Sequence, residues 1–135
     1  MKEMKGRTLN EYQQKAMTTC MPSSNNFSYM FLNLVGEVGE FASKVAKAIR
    51  KEKITIGGDF HYDNNHLNDT LDSNNDELYA ELLKEAGDVL WQLSGLCTVM
   101  GWSLEEVAQM NLDKLAARKA VGTIDGNGDG IVRDK

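Results

Sequence analysis

Apolar residues recur along this chain at steps of three and four positions, the spacing of amphipathic helices. Four segments show this pattern, at about 8–21, 27–51, 76–100 and 103–120. The second and third are long and carry wide apolar stripes. Their lengths and stripes predict two long helices that pack together, with two shorter helices beside them.

The ends of three of these segments carry recognisable signals. Thr8 with Glu11, and Ser103 with Glu106, have the residue types and spacing of a capping box, which satisfies backbone N–H groups at a helix start. Gly101 follows the third segment and is a plausible C-terminal stop. These signals place the beginnings of the first and fourth helices and the end of the third.

The pattern predicts an all-α fold, an antiparallel four-helix-type bundle in a single domain spanning 1–135. Residues 53–75 form an insertion between the second and third helices. Its first part alternates and turns at Gly57-Gly58, so a hairpin is possible before an Asn- and Asp-rich loop. Residues 121–135 form a glycine-rich tail. A chain of 135 residues often cannot cover both sides of long helices, which favours a homodimer or homotetramer.

Composition narrows the classes of function. Hydrophobic residues make up 41% and the formal net charge is −5, which fits a globular protein and argues against long nucleic acid as a partner. No signal peptide or run of about 18 apolar residues is present, so no membrane partner is expected. Cys20 and Cys97 fall in apolar helical patterns typical of reduced, buried thiols. We expect a cytoplasmic protein.

Two pairs of carboxylates interrupt the apolar stripes of the long helices. Glu37 and Glu40 lie three residues apart on the second helix, and Glu85 and Asp88 repeat that spacing on the third. Four like charges meeting in a bundle would repel one another, and a divalent cation would relieve the repulsion. Oxygen ligands without cysteine or histidine favour Mg²⁺, or Mn²⁺, over zinc.

The residues alone leave a second interpretation open. Either pair could belong to an exposed helix face, where Glu40 would pair with Lys44 one turn later. Two such pairs on consecutive long helices, both flanked by glycine, make the metal site and the exposed face about equally good explanations.

The segments around these carboxylates resemble a known family. Residues 34–41 and 83–91 together are similar to the ExxE…ExxD signature of the MazG-like all-α nucleotide pyrophosphohydrolases. The resemblance continues through 103–108, Asn111, 114–115 and 118–119, and ends in the glycine-rich tail. It covers about residues 8–50 and 77–133, which is nearly everything but the insertion.

The resemblance implies Mg²⁺-dependent hydrolysis of a nucleoside triphosphate to the monophosphate and pyrophosphate. It implies that the metal is held by the same four residues that serve catalysis, Glu37, Glu40, Glu85 and Asp88. Asn111, Lys114 and Arg118 match family positions near the substrate phosphates, where a cation offsets developing charge. The chain departs from the family in spacing, since 44 residues separate Glu40 from Glu85.

Other details of the sequence bear on the substrate and on rival functions. Tyr12, Gln13 and Trp91 are conceivable contacts to the base, although Tyr12 and Trp91 are also typical core aromatics. Residues 125–130 resemble half of a calcium-binding EF-hand loop, but the twelfth ligand position falls beyond the chain. The main alternative to an enzyme is a non-catalytic helical bundle that binds nucleotide or another protein.

Overall fold

The computed structural model describes residues 7–53 and 76–122, and within them the chain is helical with no strand. The described segments contain four α-helices and one turn of 3-10 helix at Pro22–Ser24: α1 Leu9–Met17, α2 Phe27–Arg50, α3 Asp76–Val99 and α4 Leu104–Ala120. The predicted all-α class is confirmed. The hairpin proposed within the insertion, and the tail beyond residue 122, lie outside the described residues.

The predicted helix ends are confirmed by their hydrogen bonds. The Thr8 hydroxyl accepts from the Glu11 backbone N–H at 3.0 Å, and the Glu11 carboxylate accepts from the Thr8 N–H at 2.7 Å. Ser103 and Glu106 form the same reciprocal pair at the start of α4. Gly101 has a φ of +76°, a left-handed conformation that glycine adopts without steric cost, so the chain can leave α3 there.

Helices α2 and α3 run antiparallel and pack along their length. Near one end of the pair the Asn33 amide donates to the Gln92 Oε1 at 2.6 Å, and Gln92 in turn contacts the fully buried Met30. Gly95 permits this packing, because a Cβ there would occupy the space of the Met30 sulfur and methyl group. The side chain of Met30 therefore packs directly against the backbone of α3 at Gly95.

Helix α1 packs against α3 through polar anchors at its middle and near its C-terminal end. The Trp91 indole N–H donates to the Ala16 carbonyl at 3.1 Å and to the Thr19 hydroxyl at 3.0 Å. The Gln13 amide donates to the Thr98 hydroxyl at 2.9 Å. The indole N–H of Trp91 is therefore hydrogen-bonded within the chain, as expected of a core aromatic residue.

Helix α4 makes its substantial contacts with α1, at the first turn of each helix. The Glu105 carboxylate accepts from the Leu9 N–H at 2.9 Å, and the Asn10 side chain accepts from the Glu105 N–H at 3.0 Å. Leu104 is buried there, whereas Leu112 and Leu115, farther along the expected apolar stripe, are exposed. Farther along α4, the apolar side chains of Leu112 and Leu115 are thus left exposed.

The outer face of the α2–α3 pair is apolar and uncovered. Val35 is 59% exposed and Leu83 is 64% exposed, and Phe31 and Val38 are also exposed. The predicted stripe of α2 is therefore only partly covered by the other described helices. Cys97 is buried and Cys20 is half-buried, both as free thiols. No helix in the described segments is long and apolar enough to cross a membrane.

Candidate metal centre

Three of the four carboxylates predicted from the sequence meet between α2 and α3. Glu37 of α2 and Glu85 and Asp88 of α3 each present a carboxylate oxygen, and these oxygens lie within 4.8 Å of one another. The antiparallel pairing of the two helices creates this arrangement, since it sets the middle of α2 opposite the middle of α3. We refer to Glu37, Glu85 and Asp88 as the carboxylate cluster.

Electrostatic repulsion within the cluster shows in the ionisation of Glu37. Burial raises the pKa of the Glu37 carboxyl, and the negative charges of Asp88, Glu85 and Glu40 raise it further. A group whose pKa is raised by like charges is one that a bound cation would stabilise. The repulsion adds to the effect of burial on the pKa, so both disfavour the ionised form of Glu37.

The oxygen atoms of Glu85 have unequal surroundings. Its side chain is only 12% exposed, and Oε1 lies 3.5 Å from the Lys44 ammonium group. Its Oε2 is buried and has no hydrogen-bond partner within 7–53 and 76–122. A buried carboxylate oxygen without a partner is costly, and a hard cation such as Mg²⁺ is a suitable partner for it. The residues present thus fit a divalent cation.

Glu40 is the predicted site residue that the cluster does not include. It is exposed, one turn beyond Glu37 on α2, and close enough for its charge to raise the pKa of Glu37. Within the described segments it forms no ion pair with Lys44; Lys44 reaches across to α3 and contacts Glu81 and Glu85 instead. The interpretation of Glu40 and Lys44 as an exposed pair on one helix is therefore wrong.

Tyr12 of α1 lies near the cluster. Burial raises the pKa of its phenol, and the charge of Asp88 raises it further, which places the ring beside the acidic face of α3. Gln13, by contrast, is buried and donates to Thr98 and to the Trp102 carbonyl while accepting from the Leu104 N–H. Of these two suggested base contacts, Tyr12 is near the site, and the amide of Gln13 is engaged within the fold.

The three predicted phosphate-binding residues all lie on α4, apart from the cluster. Asn111 and Lys114 are exposed, and Arg118 is half-buried. Because α4 packs mainly on α1, the fold does not bring these side chains into the contacts that join α2 and α3. Their proposed role depends on a substrate or a second chain that spans the intervening space.

An apolar groove of about 340 Å³ opens beside the cluster. It is lined by residues that follow the carboxylates closely in sequence: Val38, Phe41, Ala42, Ala86 and Val89. A Cβ at Gly39 or Gly87 would meet no atom of the described chain within 4 Å, so neither glycine is required by packing between these helices. The helices thus present the carboxylate cluster and an open apolar surface side by side.

Comparison with known proteins agrees with this architecture. The family model of the MazG nucleotide pyrophosphohydrolase domain matches residues 25–122, which include the whole carboxylate cluster. The Gene 37 protein of Mycobacterium phage L5 is 37% identical over 107 residues, covering 79% of this chain and 78% of that protein. No solved structure matches the chain. The chain belongs to the MazG nucleotide pyrophosphohydrolase family.

Proposed function

We propose that this protein hydrolyses a nucleoside triphosphate to the monophosphate and pyrophosphate with Mg²⁺ as its metal ion. The observation that carries the proposal is the meeting of Glu37, Glu85 and Asp88 within 4.8 Å on two antiparallel helices. Membership of the MazG family supports the reaction type. The net charge of −5 makes a bound cation the natural means of attracting a polyphosphate.

The carboxylates have different tasks in this proposal. Glu37, Glu85 and Asp88 hold the metal ion, which supplies positive charge to the substrate phosphates and makes a nearby water more acidic. Glu40 stands outside the cluster and makes no hydrogen bond or ion pair with the described residues. We assign Glu40 the role of general base, which takes a proton from the attacking water, because a carboxylate that does not bind the metal is available to accept a proton.

One neutral and two cationic residues of α4 serve the phosphates in this proposal. Asn111, Lys114 and Arg118 lie on one helix at steps of three and four residues, so they share a face. A guanidinium and an ammonium group near the leaving pyrophosphate offset the charge that develops there. Tyr12 is a candidate contact to the nucleotide, because burial and the charge of Asp88 both raise the pKa of its phenol.

Turnover is the direct test of the proposal. The full chain is incubated with each ribo- and deoxyribonucleoside triphosphate, and pyrophosphate and monophosphate are quantified. We expect equimolar release of both products from at least one nucleotide with Mg²⁺, loss of release with excess chelator, and recovery when Mg²⁺ is restored. If no nucleotide is hydrolysed and calorimetry also shows no Mg²⁺-dependent nucleotide binding, the protein is a non-catalytic helical bundle. Binding without turnover would indicate a nucleotide-binding protein.

We further propose that a second copy of the chain covers the apolar groove. The groove adjoins other exposed apolar residues of the same face, among them Val35 and Leu83, and together they form a surface larger than single scattered side chains. A twofold pairing would bury the same patch on both copies. It would also give the α2–α3 pair the additional core that a chain of this size lacks.

Placing a charge in the groove tests this assembly. Val38→Glu is expected to convert the oligomer to a monomer, because an unpaired carboxylate in an apolar interface costs several kcal/mol. Analytical ultracentrifugation gives the mass in solution. The matched control is Met21→Glu, which changes an exposed apolar residue outside the groove and is expected to leave the mass unchanged. A wild-type protein that sediments as a monomer would contradict the proposal.

A further inference from the structure

Lys44 contacts both the carboxylate cluster and Glu81, an acidic residue outside the cluster. Its ammonium group lies 3.5 Å from the Glu81 Oε2 and 3.5 Å from the Glu85 Oε1, so one cation of α2 contacts two consecutive turns of α3. The Lys44 and Glu81 side chains are 38% and 49% exposed, whereas that of Glu85 is 12% exposed. The contact with Glu85 is thus the more sheltered of the two.

The two oxygens of Glu85 are distinguished by this contact. Lys44 occupies the Oε1 side, and Oε2 stays buried without a hydrogen-bond partner in the described segments. An ion pair at one oxygen favours the side-chain rotamers that keep this contact, which limits the directions that the other oxygen takes. Glu81, anchored to the same ammonium group, restricts Lys44 in turn.

We propose that Lys44, held by Glu81, is a positioning residue that orients Glu85 toward the metal ion. The inference rests on the proposed metal site and adds two residues to it. Lys44 does not touch the substrate or the cation in this role; it acts through Glu85. Outer residues that fix the direction of a metal ligand commonly contribute tenfold to a hundredfold in metal affinity.

A simple charge effect predicts the opposite result, which makes the proposal testable. Lys44 repels a cation, so removing its charge alone would strengthen cation binding. The double variant Lys44→Met/Glu81→Gln removes one positive and one negative charge and leaves the net charge unchanged. The charge effect that remains is the loss of the ammonium group beside Glu85, which favours tighter cation binding, so weaker binding would report lost orientation.

Binding of Mn²⁺ to the full chain, measured by calorimetry without nucleotide, gives the readout. We expect Lys44→Met/Glu81→Gln to bind Mn²⁺ about tenfold or more weakly than the wild type. Lys44→Gln/Glu81→Gln has the same net charge, but its amide can donate to Glu85, and it is expected to recover part of the loss. The charge-matched control Lys47→Met/Glu52→Gln changes exposed residues near the end of α2 and is expected to bind Mn²⁺ as the wild type does.

The outcomes separate this inference from the proposed function. Wild-type affinity, or tighter binding, in Lys44→Met/Glu81→Gln would overturn the positioning role and leave the metal site intact. Absence of Mn²⁺ binding by the wild type would overturn the metal site, and the positioning role with it. Thermal melting of each metal-free variant checks its fold. If the Lys44→Met/Glu81→Gln variant does not fold, the Mn²⁺ affinity of Lys44→Gln/Glu81→Gln is compared with that of the wild type instead.

Discussion

Asp88→Asn is expected to lower pyrophosphate release by about a thousandfold or more, the largest effect on activity that the structure predicts. The substitution keeps the shape of the side chain and removes one charged oxygen donor from the cluster. A loss of about 4 kcal/mol of transition-state stabilisation corresponds to this factor. Steady-state rates at saturating Mg²⁺, with the nucleotide that the wild type hydrolyses best, provide the measurement.

A second prediction for Asp88→Asn tests whether misfolding explains the loss of activity. The charge of Asp88 raises the pKa of Glu37, so removing that charge relieves repulsion in the metal-free protein. We expect Asp88→Asn to melt no lower than the wild type in chelator, and to lose most of the rise in melting temperature that Mg²⁺ gives the wild type. An inactive variant with undiminished metal-free stability would locate the defect in the site.

Glu77→Gln is the matched control for Asp88→Asn. Glu77 is an exposed carboxylate on the same helix, about three turns before Asp88, and it is not part of the cluster. Its substitution is expected to change the rate less than twofold, in line with other exposed surface positions. If Asp88→Asn kept more than a tenth of the wild-type rate with unchanged Mg²⁺ dependence, the cluster would not be the catalytic metal site.

Gln13→Ala is expected to lower the free energy of unfolding by about 2–4 kcal/mol, the largest effect on stability. The buried Gln13 amide accepts from the Leu104 N–H at 2.8 Å and donates to the Trp102 carbonyl at 3.0 Å and to the Thr98 hydroxyl at 2.9 Å. Alanine would leave the buried Leu104 N–H without this acceptor at the first turn of α4. Urea unfolding at a fixed protein concentration measures the change.

Gln14→Ala is the matched control for Gln13→Ala, because the neighbouring glutamine is exposed. It is expected to change the free energy of unfolding by less than about 0.5 kcal/mol. Hydrogen exchange gives a local test, since the Leu104 amide should lose protection in Gln13→Ala before the amides of α2 do. A destabilisation below about 1 kcal/mol would mean that water replaces the glutamine amide at little cost.

The sequence predicted the helices well because their signals are local. The capping boxes at Thr8 and Ser103, and the stop at Gly101, depend on residues within four positions of one another. The apolar stripes indicated which faces avoid water, but not what covers them. Val35 and Val38 share the periodicity of buried residues and are exposed in this chain, since periodicity is the same whether a neighbouring helix or a second molecule supplies the cover.

The site was predictable in its residue types and less so in its geometry. Spacing placed Glu37 and Glu40 on one face of α2, yet residues three apart differ by about 60° around a helix. The crossing of α2 and α3 therefore decides which of the two faces Glu85, and it selects Glu37. The predicted pair of Lys44 and Glu40 was based on their closeness in sequence. The observed partners of Lys44, Glu81 and Glu85, are 37 and 41 residues away. The role of Gln13 likewise depends on a backbone N–H 91 residues later.

The groove beside the cluster has a consequence for how the geometry of the site can change. Val38 follows Glu37, Ala86 follows Glu85 and Val89 follows Asp88, so each cluster residue has a groove residue as its neighbour in sequence. Neighbours on a helix keep a fixed angle of about 100°. A rotation of α3 that seated Ala86 and Val89 more deeply against a partner would therefore turn Glu85 and Asp88 by the same angle, so packing in the groove would be coupled to the distances between these carboxylates and Glu37.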